Sequence, residues 1–129
     1  MFRTFLILAA FSAMTAVLLG AFGAHGLRAT LSAYSMSVYH TAVNYHMWHA
    51  LGLGLVALLA RHYPASKLLL WSGWLLFGGI VIFSGSLYIL AVSGFKWLGM
   101  ITPLGGLAFI IGWLLVVLFA VKLDRDESV

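Results

Sequence analysis

Four long apolar runs occupy most of this 129-residue chain and constrain its fold more than any other feature of the sequence. They extend roughly over Phe5–Gly23, Val43–Ala60, Leu68–Val92 and Ile101–Val121. A helix needs about 20 consecutive apolar residues to cross the hydrocarbon core of a bilayer. Hydrophobic residues make up 64% of the chain and charged residues only 8%, which is not typical of soluble domains. The pattern therefore predicts a polytopic membrane protein.

The predicted fold class is all-α. Each run is apolar on every side, whereas the strands of a membrane β-barrel alternate apolar and polar residues over about ten positions. We expect a single transmembrane domain over residues 1–129, a four-helix bundle with helices at approximately 4–24, 36–61, 67–92 and 102–123. The first run follows Arg3 as a secretory signal would, but it is longer than a typical signal core, so we expect a retained helix.

Basic residues fall singly at the ends of the runs, and their distribution predicts the orientation of the bundle. The first and third connections, which lead into the second and fourth helices, hold only Arg28 and Lys96. The other five lie at the N-terminus, in the second connection and near the C-terminus: Arg3, Arg61, Lys67, Lys122 and Arg125. The positive-inside rule then places both termini in the cytoplasm. Because the basic residues form no cluster or stripe, the net charge of +4 does not indicate a nucleic-acid partner.

Polar side chains concentrate in the half of the predicted bundle that lies away from Arg61. In the second helix, His46 precedes Arg61 by 15 residues, or about 22 Å at 1.5 Å per residue. In the third helix, Ser84 follows Lys67 by 17 residues, or about 25 Å, so it reaches the same depth. We therefore expect a cluster of candidate ligand-binding residues there, with members from all four helices: His25, Asn44, His46, His49, Ser84, Ser86, Tyr88 and Thr102.

The second helix carries polar groups on two faces. At about 100° per residue, His46 and His49 share one face, whereas His40 and Asn44 lie broadly opposite. Lipid penalises polar groups on either face. We expect this helix to be covered on both sides, either at the centre of the bundle or with one face at an oligomer interface.

The residues available for chemistry are few. The chain has no cysteine, and no Asp or Glu precedes Asp124. Ser84 and Ser86 therefore lack an acid that would orient a histidine for hydrolysis, and we expect no catalytic residue and no enzymatic activity. We expect no metal site either. The weak candidate is the set His25, His46 and His49, where a divalent ion would have no carboxylate to balance its charge.

Four sequence blocks together are distinctive: Gly20–Leu27, Tyr45–Leu53, Phe83–Tyr88 and Leu98–Gly106. Through these blocks the chain resembles the YgdD-like family of small inner-membrane proteins, also called domain of unknown function 423, over nearly its full length and in the same order. The resemblance implies a bacterial inner-membrane protein with four helices, and it implies no particular activity.

Three functions remain open at this point. The first is a structural or accessory membrane subunit, in which the polar cluster forms hydrogen bonds between helices. The second is a redox subunit that binds haem or quinone, although His46 and His49 are one turn apart and cannot both be axial ligands of one iron. The third is an oligomeric channel or carrier. We predict no cofactor, and we expect the partners to be the lipid bilayer and either further copies of the chain or a larger membrane complex.

Overall fold

Four helical spans form the part of the protein that the structure describes. A computed structural model describes residues 1–126, with side chains as far as Leu123. Four segments are long and apolar enough to cross a membrane: Phe2–Leu27, Ala33–His62, Lys67–Ser93 and Lys96–Leu123. The predicted all-α fold with four spanning helices is confirmed.

The spans are built from five α-helices and three short irregular helical turns. The α-helices are α1 (Phe2–Phe22), α2 (Ala33–His62), α3 (Lys67–Gly79), α4 (Gly85–Ser93) and α5 (Thr102–Asp126). A π-helical turn, Gly23–Leu27, extends α1, and a second one, Ile80–Ser84, joins α3 to α4 within the third span. A 3₁₀ turn, Lys96–Met100, precedes α5. The sequence pattern gave no sign of the interruption in the third span, because the π turn is as apolar as the helices on either side.

Local capping explains where the helices begin and end. Helix α2 begins at Ala33 and not near residue 36, because the Ser32 hydroxyl accepts a hydrogen bond from the Ser35 amide at 3.1 Å. Ser66 caps α3 in the same way, with its hydroxyl 3.4 Å from the Leu69 amide. Helix α4 ends at Gly94, whose φ of 72° lies in the left-handed region that glycine adopts without strain.

The helices pack as two pairs. Helix α1 packs mainly on α2, while α5 packs mainly on α3 and on the π turn Ile80–Ser84. Helix α2 joins the pairs because it also contacts α3 and α4. The core lies among these helices and includes Phe5, Leu53, Leu69 and Leu76. Large apolar side chains also cover the outside of every span, as expected for surfaces that face lipid.

Helix α5 crosses the π turn Ile80–Ser84 at close range. A Cβ atom added at Gly105 would collide with the backbone nitrogen of Phe83. Only a residue without a side chain allows α5 to lie this close to the third span. Small residues let membrane helices approach in this way, since burial between them gains little hydrophobic energy.

Candidate functional site

His46 connects three of the four spans. Its side chain is buried in α2, with Nε2 3.3 Å from the Thr15 hydroxyl of α1 and Nδ1 3.1 Å from the Tyr88 hydroxyl of α4. The Thr15 hydroxyl also donates to backbone carbonyls of its own helix, including the carbonyl of Ser12 at 2.9 Å. Since a hydroxyl has one proton to donate, Thr15 accepts from the His46 Nε2–H, and Nδ1 in turn accepts from Tyr88. Both ring nitrogens are therefore satisfied inside the bundle.

Tyr88 extends this network toward the ends of α1 and α2. Its ring meets the ring of Tyr39 edge to face, with centroids 5.2 Å apart. The Tyr39 hydroxyl donates to the carbonyl of Leu19 in α1. Tyr39 itself is buried, and its ring fills the space beside Gly23 at the start of the first π turn. The contacts of Tyr39 and Tyr88 thus fix the position of α1 against α2 and α4.

The serines form separate bonds between helices. Ser84, in the second π turn, donates to the Ala42 carbonyl of α2 at 2.9 Å. The hydroxyls of Ser86 and Thr102 lie 2.7 Å apart and connect α4 to the start of α5. The predicted residues therefore form several hydrogen-bonded sets that share no member, and these sets do not form one cavity. Each set joins two or three spans.

Three predicted members, His25, Asn44 and His49, lie outside these sets. His25 is exposed in the first π turn, and Asn44 is exposed on the outer face of α2. The structure does not bring together the three histidines of the weak metal candidate, His25, His46 and His49: the described residues contain no group of three His, Cys, Asp or Glu that could hold a metal ion. Of the two arrangements expected for α2, burial on both sides at the centre of the bundle is wrong. The alternative, one face at an oligomer interface, stays a prediction. One face of α2, with His40, Asn44 and Trp48, stays on the surface of the chain.

His49 has a different environment from His46. Its ring stacks on Phe109 of α5, with centroids 3.4 Å apart and planes inclined by 13°. Its Nδ1 lies 2.7 Å from the Tyr45 carbonyl one turn earlier in α2. The ring borders a groove of about 470 Å³ between α2, α5 and the second π turn, which we call the aromatic groove. Its lining residues are Tyr45, His49, Phe83, Gly106, Phe109, Ile110 and Trp113.

A second cleft lies at the opposite end of the bundle. It has a volume of about 620 Å³ and lies between the connection after α2 and the last turns of α5. Lys67 and Lys122 line it together with the rings of Tyr63 and Phe119, which pack edge to face at 5.1 Å. Nearby, the Arg61 guanidinium lies 5.5 Å from the ring centre of Phe2. Basic side chains therefore gather at this end, as the sequence predicted.

Sequence reasoning missed several residues of these sites. Thr15 could have been found, because it lies at the depth of His46 when heights are counted from the N-terminal end of the first helix. The rings of Phe83, Phe109 and Trp113 gave no signal, since aromatic residues are common throughout the spans and nothing distinguishes those that line a groove.

These observations define a class: a small four-span membrane protein in which several buried polar side chains form hydrogen bonds from one helix to another. The comparisons with known proteins then identify the family. The family described as "Protein of unknown function (DUF423)" matches residues 19–106, and the chain belongs to this family. The resemblance seen in the sequence is therefore confirmed.

Curated relatives match the chain over almost its whole length. The chain is 54% identical over 120 residues to the UPF0382 membrane protein YwdK of Bacillus subtilis, covering 93% of this chain and 98% of the relative. A UPF0382 membrane protein of Staphylococcus epidermidis is 51% identical over 120 residues, covering 93% of this chain and 97% of the relative. One from Staphylococcus aureus is 46% identical over the same shares of the two chains, 93% and 97%. No solved structure matches the chain.

Proposed function

We propose that the protein is a non-enzymatic accessory subunit that joins a larger membrane assembly through the exposed face of α2. The observation that carries this proposal is the position of Asn44. It is the only side-chain amide in the sequence, it lies in the second span, and it is exposed to the surroundings of the chain. An amide facing hydrocarbon loses its hydrogen bonds, which is unfavourable unless another polypeptide supplies partners.

The internal polar groups support the same role. His46, Ser84 and Tyr88 form hydrogen bonds between spans and so fix how the helices fit together. The sequence offers no thiol and no carboxylate before Asp124 for catalysis. A protein with a fixed internal network and one polar outer face is suited to binding a neighbour in the membrane.

The test compares the assembly formed by the natural chain with that of an Asn44→Leu variant after solubilisation in mild detergent. We expect the natural chain to migrate as an assembly larger than one chain, and the variant to dissociate because the amide is gone. Met14→Leu is the matched control, since Met14 is exposed on α1 and the change removes no hydrogen-bonding group. A variant that retains the full assembly contradicts the proposal.

The composition of that assembly separates the competing functions. A second, different protein in fixed ratio supports an accessory subunit. A mass that is a whole multiple of the chain alone indicates a homo-oligomer, and ion or solute flux through such an oligomer in vesicles would support a channel or carrier instead.

We further propose that the protein lies in the bacterial inner membrane with both termini in the cytoplasm. Spanning α-helices are typical of that membrane, since outer-membrane proteins are β-barrels. The end of the bundle that gathers Arg61, Lys67 and Lys122 is the cytoplasmic end by the positive-inside rule.

The chain contains no cysteine, so single cysteines report its orientation cleanly. Ala29→Cys lies in the first connection and Ala65→Cys in the second, and both alanines are exposed. We expect a membrane-impermeant maleimide to label Ala29→Cys in intact cells and Ala65→Cys only after lysis. The reverse pattern would contradict the proposed orientation.

A further inference from the structure

The imidazole of His49 has one nitrogen without a partner. Nδ1 bonds to the Tyr45 carbonyl at 2.7 Å, and within residues 1–126 Nε2 has no hydrogen-bond partner. The side chain is only 7% exposed. Among the described residues, every fully buried polar side-chain atom has a hydrogen-bond partner. Because Nε2 has no partner, it is not fully buried and must face an open space. The space that His49 borders is the aromatic groove.

The bond to Tyr45 determines what Nε2 can do. A carbonyl oxygen only accepts, so Nδ1 must carry a proton and donate it. The interior of a membrane span favours the uncharged imidazole, in which the second nitrogen is then an acceptor. Nε2 therefore presents a lone pair, and it can bind a donor such as a hydroxyl but not the carbonyl of a quinone.

The rest of the groove selects a flat apolar ring. Tyr45, Phe83, Phe109 and Trp113 form its walls, and aromatic rings are stabilised by stacking or edge-to-face contact with another ring. Gly106 leaves room, because a Cβ atom there would come no nearer than 3.7 Å to the Phe83 ring. The groove also opens to the side of the bundle, where Ile110 and Trp113 are exposed. A membrane-soluble ligand can therefore enter laterally from lipid.

We propose that the aromatic groove binds a membrane-soluble phenolic ring of the quinol class, whose hydroxyl donates a hydrogen bond to His49 Nε2. A lipid acyl chain would also fill the apolar walls, but it would leave the acceptor of His49 without a donor. An unpaired polar group in an apolar setting is unfavourable, so the hydroxyl distinguishes the phenolic ligand from lipid. This site is independent of the α2 face that carries Asn44.

The test uses a short-chain benzoquinol kept under anaerobic conditions, its dimethyl ether and its quinone. Binding is measured to the full chain in nanodiscs of uncharged lipid, and partitioning into protein-free nanodiscs is subtracted. We expect saturable binding of the quinol and about tenfold weaker binding of the ether and the quinone, since neither has a hydroxyl to donate. The ¹⁵N resonance of His49 Nε2 should shift on adding the quinol and not on adding the ether.

Two pairs of variants complete the test. His49→Phe keeps a ring on Phe109 but removes the acceptor, and should lower quinol binding about tenfold, to the level of the ether. His62→Phe is its control, since His62 makes the same bond to the carbonyl four residues before it but is exposed at the end of α2. Gly106→Leu should block the groove and abolish binding of all three compounds. Gly78→Leu is its control, because a Cβ atom at Gly78 meets nothing within 4 Å.

Three results would overturn the proposal. Equal binding of quinol and ether by the natural chain would show that no hydroxyl is recognised. A His49→Phe protein that still prefers the quinol would exclude His49 as the acceptor. Absence of saturable binding above that of protein-free nanodiscs would mean that lipid chains occupy the groove.

Discussion

The half of the bundle around His46 and the half around Leu53 are held together by different forces. In the first, which we call the polar half, hydroxyls and an imidazole bond across the spans. In the second, the packed half, Phe5 lies against Gly73 and closes on a core of leucine, valine and alanine. Apolar packing holds helices together but tolerates sliding, whereas a hydrogen bond between spans is satisfied in only one register. The polar half therefore sets the alignment that the packed half then stabilises.

The division between the halves is not complete. Ser72 of α3 is fully buried and donates to the Gly112 carbonyl of α5 at 2.9 Å, near the middle of these helices. Conversely, a tight packing contact against backbone, Gly105 on Phe83, lies close to the polar half. Substitutions in each half measure how far the two kinds of interaction differ in strength.

The largest effect is expected where packing involves backbone on both sides. Gly105→Ala should lower the free energy of unfolding by about 3 kcal/mol, because a backbone nitrogen cannot move aside as a side chain can. Gly78→Ala is the control: it makes the same change in a helix with open space around it and should be neutral or slightly stabilising. Unfolding in mixed detergent measures both. Equal stabilities would contradict the close approach of α5 to the π turn.

The next effect tests the polar half. His46→Ala should lower the free energy of unfolding by about 2 kcal/mol, since it removes two hydrogen bonds of roughly 0.6 kcal/mol or more each and leaves a cavity. His62→Ala at the exposed end of α2 should change it by less than about 0.5 kcal/mol. If the two variants were equally stable, the network of Thr15, His46 and Tyr88 would not contribute to the fold.

A smaller effect is expected for packing against a side chain that can rotate. A Cβ atom at Gly73 would collide with the ring of Phe5, and Gly73→Ala should cost about 1 kcal/mol as the ring turns away. Gly85→Ala meets nothing within 4 Å and serves as the control. Thermal unfolding compares the stabilities of the two variants. A larger loss of stability for Gly85→Ala than for Gly73→Ala would contradict the arrangement of the packed half.

The smallest effects compare single hydrogen bonds. Ser84→Ala and Ser72→Ala each remove one hydroxyl that donates to a carbonyl of another span, at 2.9 Å in both cases. Each should lower the free energy of unfolding by about 0.6 kcal/mol. Ser93→Ala removes two local, exposed bonds, one to the carbonyl of Ile89 in its own helix and one from the amide of Phe95, and should have no measurable effect. A difference of more than about 1 kcal/mol between Ser84 and Ser72 would show that depth in the bundle changes the strength of such bonds.

The sequence predicted the fold well because membrane helices follow from length and hydropathy alone. The four spans, and the level shared by His46, Ser84 and Tyr88, could be read from residue counts along straight helices. The rotation of each helix could not be read in the same way. Asn44 and His25 lie at suitable heights but point outward, since apolar runs give no signal for which face meets lipid.

The aromatic groove was hidden for a related reason. It depends on the π turn Ile80–Ser84, which brings Phe83 toward Phe109 with ring centroids 5.5 Å apart. An extra residue in one helical turn leaves no mark in an apolar sequence, yet it changes which side chains face inward from that point. His49 was correctly singled out, but its partners came from this local change in the helix.

The most direct test is ¹⁵N magnetic resonance of histidine-labelled protein in lipid bilayers, with His46 and His49 assigned from the His46→Ala and His49→Phe variants. The two side chains are one turn apart, and their hydrogen bonds give them opposite tautomers. His46 should carry its proton on Nε2, bonded to Thr15, with Nδ1 accepting from Tyr88. His49 should carry its proton on Nδ1, bonded to the Tyr45 carbonyl, with Nε2 as an open acceptor. The same tautomer at both positions would contradict the distinction between a closed structural histidine and one available to a ligand.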